Sequence, residues 1–145
     1  MLEAPADHTS EKGSITYRSR LPCQAASATA ARVLLDGMFA GFSRLQDALV
    51  VATELMGHAV RESCACCPRG SINVVAQIGA SGVRVEVGFG CSEQHLGEAD
   101  EEMLLAYTWG VELMRRLADR WGVDSFGHRF VERQTWWVEI DGGWQ

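Results

Sequence analysis

Two groups of side chains in this sequence have the type and spacing to do chemistry. Glu54 and His58 are ionisable residues four apart. In a helix that separation stacks the side chains one above the other on a single face. Cys64, Cys66 and Cys67 follow as a Cys-x-Cys-Cys string. Thiolates there, joined by His58 or Cys91, could complete a tetrahedral Zn²⁺ site or sense redox state. The string lacks paired Cys-x-x-Cys spacing, however, and adjacent cysteines rarely both bind one ion. Unremarkable loop thiols are the plainer account of the cysteines, and a solvated helix face is the plainer account of Glu54 and His58. Other familiar chemistries are missing from the sequence: there is no Gly-x-x-x-x-Gly-Lys phosphate loop, no His-Glu-x-x-His and no Gly-x-Ser-x-Gly.

The elements that must position these residues can be read from periodicity. Residues 1–13 have none and read as a flexible tail. Ile15, Tyr17, Ser19 and Leu21 alternate with polar neighbours as in a half-buried strand, which Pro22 breaks. Residues 24–42 are Ala-rich with large apolar side chains and predict a helix. Leu45, Ala48, Leu49, Ala52, Leu55, Met56 and Ala59 form the stripe of an amphipathic second helix. Asp47, Glu54, His58 and Arg61 fall off that stripe, on the polar face. Residues 63–70 read as a loop, and residues 71–78 and 83–89 as a hairpin around Gly79-Ala80-Ser81-Gly82. Met103, Ala106, Gly110, Leu113, Met114 and Leu117 mark a third helix ending near Trp121-Gly122. Residues 123–130 and 134–140 read as the last strands, and residues 142–145 as a short tail. In a strand the rings of Trp136 and Trp137 must point to opposite faces. The order predicts an α/β two-layer sandwich over residues 14–141, with three helices on one face of a mixed, mostly antiparallel sheet.

Composition limits the function. The 145 residues are one domain's worth, 47% hydrophobic and 22% charged, which is ordinary globular usage. Nineteen acidic against thirteen basic residues give a net charge of −6. That argues against nucleic acid or an anionic membrane as partner, since both require a basic surface. No stretch has the length and apolarity of a membrane span, and the first residues lack a signal-peptide core, so a cytoplasmic location is expected. Five cysteines cannot all pair within one chain, and in that compartment they read as thiols.

Three strings carry a resemblance to a known family. Thr53-Glu-Leu-Met-Gly-His-Ala-Val-Arg61 is similar to the Glu-Leu-x-x-Asn-Ala helix of histidine-kinase-like (GHKL) ATPases, in particular the anti-sigma-factor serine kinases and their short bacterial relatives. Val83-Arg-Val-Glu-Val87 resembles the strand that leads into the family's adenine-binding Asp. Residues 110–123 resemble its glycine-rich lid and the helix that follows, ending in Ala-x-Arg-Trp-Gly. The resemblance spans about residues 14–141 and implies the family's sandwich fold.

It also implies where the nucleotide would sit, and there the chain departs from the family. His58 stands where the family has its Mg²⁺-holding Asn. Phe89 stands at or beside the adenine-binding Asp. Of the lid's Gly-x-Gly only Gly110 remains, with Thr108 in the first position. Glu54 keeps the place of the family's general base. Losing a buried hydrogen bond to a charged acceptor costs about 1.5–3 kcal/mol. Mg²⁺ also prefers oxygen ligands to imidazole. The resemblance therefore implies a degenerate nucleotide pocket, with no cofactor expected. The leading expectation is a regulator that binds a sigma factor or its anti-anti-sigma antagonist, as a homodimer like its relatives, with weak or absent ATP binding. An active ATP- and Mg²⁺-dependent serine kinase, with Glu54 as base, is the alternative. A thiol or zinc sensor using Cys64, Cys66 and Cys67 is a third reading.

Overall fold

The computed structural model describes residues 14–66, 69–92, 101–128 and 131–145. Strand β1 (Ile15–Pro22) is followed by helices α1 (Ala26–Met38) and α2 (Leu45–Cys66). Strands β2 (Ser71–Gly79) and β3 (Gly82–Ser92) come next, then helix α3 (Glu101–Leu117) and strands β4 (Arg120–His128) and β5 (Val131–Asp141). The sheet runs β1-β2-β3-β5-β4, and every described pairing is antiparallel. The expected α/β sandwich with a mostly antiparallel sheet is found, and among the described residues every strand pair is antiparallel.

Alternation builds the interface between the layers. Ile72, Val74 and Ala76 of β2, the 83–85–87–89 positions of β3, and Trp136, Val138 and Ile140 of β5 are buried on one face. They share a core with Leu49, Ala52, Leu55, Met56 and Ala59 of α2, Leu35 of α1 and Met114 of α3. The side chains in between point away from the helices, so the sheet has one covered and one open face, as is common in antiparallel sheets. Gly79 pairs with Gly82, leaving Ala80 and Ser81 as a two-residue hairpin loop.

Several local expectations change. α2 extends through Ser63 to Cys66, where a loop was expected. The buried stripe simply continues past Ala59 into Glu62 and Ser63. α1 is shorter than residues 24–42, because Phe39 and Phe42 leave the helix to fill the core. α3 stops at Leu117, and the Arg120-Trp121-Gly122 string expected at the helix end opens β4 instead. Two contacts enforce that stop. Arg44 Nη2 donates to the Leu117 carbonyl at 2.7 Å, and the Asp119 N–H donates to the Glu139 carbonyl at 2.9 Å, drawing the chain into the sheet. Residues 142–145 are bound to the body: the Trp144 Nε1–H donates to the Gly79 carbonyl at 2.8 Å, and the Gln145 N–H to the Gly41 carbonyl at 2.9 Å. Gly41 has φ +88°, a left-handed conformation that favours glycine. The expected tail over residues 1–13 lies outside the described residues.

Cys23, read from sequence as a thiol, is disulfide-bonded. Its N–H donates to the Gly70 carbonyl at 3.2 Å, and its Sγ lies 4.0 Å from the Val60 carbonyl oxygen. It therefore sits beside the end of α2. The side chains of the other four cysteines lie outside the described residues.

Candidate functional site

The residues singled out by sequence come from three elements. α2 supplies Glu54 and His58 one turn apart, β3 supplies Phe89 near its end, and α3 supplies Gly110. The tertiary structure brings three of them together around a fourth residue, Trp136 of β5. The His58 ring lies 4.3 Å from the Trp136 ring, tilted by 45°, and 5.7 Å from the Phe89 ring, edge-on at 78°. Gly110 closes over the same indole: a Cβ there would lie 3.2 Å from Trp136 Cζ3. Phe89 and Trp136 are each 1% exposed. The Trp136 Nε1–H, which burial would otherwise leave costly, donates to Gln134 Oε1 at 3.1 Å.

His58 is the main correction to the sequence reading. The helical spacing predicts it on the polar face of α2, yet it is only 3% exposed. α2 packs against the sheet, α1 and α3 together, so a wider arc of the helix is covered than its apolar stripe alone predicts. Burial, aided by the positive charge of Arg61, lowers the His58 pKa to about 4. The imidazole is therefore neutral at physiological pH. Glu54 is half-buried on the preceding turn. Phe89 fills space as a plain apolar side chain, as its type predicts.

Chemically, this cluster is a packed set of rings. A neutral nitrogen between two aromatic rings is a poor host for a hard cation. The metal candidates Cys64, Cys66 and Cys67 have side chains outside the described residues. Among the described residues no three His, Cys, Asp or Glu side chains gather as a metal site would require. Trp136 is the member that alternation alone does not tell from Trp137, since it says only that the two rings take opposite faces. The signal that could have found it was its register, because Trp136 pairs across from Val87 on the covered face.

No family model matches this chain. No curated protein is similar to it in sequence. Among solved structures, it is similar to a chain in the crystal structure of the SiaB–SiaC complex from Pseudomonas aeruginosa. The TM-score is 0.62 at 12% identity, covering 85% of this chain and 89% of the other. At that identity the likeness is one of fold: a five-stranded antiparallel sheet under three helices. Among the described residues no helix is long and apolar enough to cross a membrane.

Proposed function

We propose that this chain is a regulatory binding protein of the anti-sigma-factor type that acts by holding a protein partner, with its former nucleotide pocket filled by its own rings. The partner class is a sigma factor or an anti-anti-sigma factor, and a homodimer is the expected form. One observation carries the reading. The position that holds Mg²⁺ in the family this chain resembles is occupied by a buried, neutral His58 packed on Trp136 and Phe89. A pocket closed in this way leaves protein binding as the function the fold retains. The similar solved chain belongs to a complex of two proteins, which fits that reading. Large apolar side chains on the surface, Trp109 at 56% exposure and Trp121 at 37%, are suited to a protein contact.

The test is thermal unfolding with ATP or ADP and Mg²⁺, followed by titration with candidate sigma and anti-anti-sigma proteins. A nucleotide held at 100 times its Kd adds about 2.7 kcal/mol, a shift of several degrees for a domain of this size. The expected result is no shift with nucleotide and nucleotide-independent capture of a partner. A clear shift would favour the serine-kinase alternative, and loss of phosphotransfer in Glu54→Ala would then assign the base. A thiol-based reading has one observation of its own, the disulfide at Cys23 beside the cysteine-bearing end of α2. Partner capture that is the same before and after reduction would remove it.

A further inference from the structure

The open face of the sheet is polar, and most of its charges are committed to one another. Across the register, Thr16, Gln77, Arg84, Glu139 and Arg120 form one row. Gln77 Nε2 donates to Thr16 Oγ1 at 3.3 Å, Arg84 Nη1 to Glu139 Oε2 at 3.0 Å, and Arg120 Nε to Glu139 Oε1 at 2.7 Å. Arg120 also pairs with Asp141. Two other arginines on this face, Arg18 of β1 and Arg133 of β5, make no ion pair among the described residues. Both are exposed, and both line a depression of about 330 Å³.

That depression has the features of a site. Its middle is the row Asn73, Gly88, Thr135, and Gly88 leaves the floor bare. A Cβ at Gly88 would lie 3.4 Å from Thr135 Oγ1 and 4.0 Å from Asn73 Cβ, so any side chain there would grow into the space. Asn73 and Thr135 supply neutral donors, while Arg18 and Arg133 enter from opposite sides, with β2 and β3 between them. The one carboxylate among the described lining residues, Glu86, lies 3.6 Å from Arg84, which offsets its charge. The volume is at the lower end of small-molecule sites, about 300–1,000 Å³. The lining is mostly polar and so selects charge over an apolar ring. Guanidinium groups bind carboxylate and phosphate through paired hydrogen bonds.

We propose that this depression binds a small ligand bearing anionic groups, carboxylate or phosphate, at two ends, one held by Arg18 and the other by Arg133. The site lies on the face of the sheet opposite His58 and does not depend on the regulatory reading.

Isothermal titration of the full chain with citrate and, separately, with inorganic pyrophosphate tests it. At least one of the two anions should bind saturably at one site, with affinity that falls as salt is added. Arg18→Gln and Arg133→Gln should each weaken binding about tenfold or more. Gly88→Thr should block it with both arginines in place. Arg32→Gln, which changes an exposed arginine on α1, should leave it unchanged. Binding of citrate alone assigns the site to carboxylates, and of pyrophosphate alone to phosphates. Absence of saturable binding for both anions, or affinity that survives replacement of both arginines, overturns the proposal.

Discussion

Trp136 and Trp137 are adjacent in the chain but belong to two different surfaces of the same sheet. Trp136 faces the helices, fully buried, its indole against His58 and beneath Gly110. Trp137 faces away from them, half-buried, with the Arg84 guanidinium 4.3 Å from its ring centroid. On the covered face an ionisable group has lost its charge to fit among rings. On the open face charged groups keep their charge and are arranged in rows. The difference teaches what water decides in this fold: desolvation neutralises an ionisable group on one side of the sheet, and water on the other side lets arginines keep their charge.

The comparison can be broken most strongly at Trp136. Trp136→Ala empties the centre of the ring cluster and should cost about 3–5 kcal/mol, read as a large drop in the denaturation midpoint. If the cluster occupies a former nucleotide pocket, this variant is also the one in which ATP binding should be sought. A second effect concerns pH. Because His58 is held at about 4 in the folded chain against 6.5 when free, the unfolded chain takes up the proton first as pH falls. The stabilisation is complete above about pH 6.5 and is lost as pH falls toward 4, amounting to about 3 kcal/mol. Denaturant titrations across that window should show the slope, and His58→Phe should abolish its share.

Gly110→Val comes next. Its Cβ must press on Trp136, and overpacking of that kind costs about 1–3 kcal/mol. A gain in stability on that substitution would mean that α3 stands farther from the sheet than described. The smallest effect is expected on the open face. Arg84→Gln removes the contact with Trp137 and the pair with Glu139, both partly exposed, and should cost at most about 1 kcal/mol. Added salt should shrink that difference, whereas the Trp136→Ala difference should be nearly independent of salt.

The legible part of the fold was the part set by local repetition. The alternation in β2 and β3, the stripe on α2 and the turn at Ala80-Ser81 each depend on residues a few positions apart, so their pattern survives in one dimension. Element ends were less legible. The stop of α3 at Leu117 depends on Arg44, far away in sequence, and the extension of α2 to Cys66 depends on what covers its last turns. Of the candidate site, the residue types at 58 and 89 already differ from those of the family the chain resembles, while Gly110 keeps the family's glycine. Their meeting around Trp136 did not appear, because that residue comes from the last strand.

The sequence alone thus determined which side chains alternate, which strings repeat a family's spacing and how little basic charge the chain carries, because these are properties of neighbours along a line. Only the tertiary structure decided that His58 is neutral and buried rather than a solvated partner of Glu54, and that Arg18 and Arg133 border one depression. Both outcomes depend on how many elements converge on a point and how much water they exclude from it, and strand order and layer packing set that number.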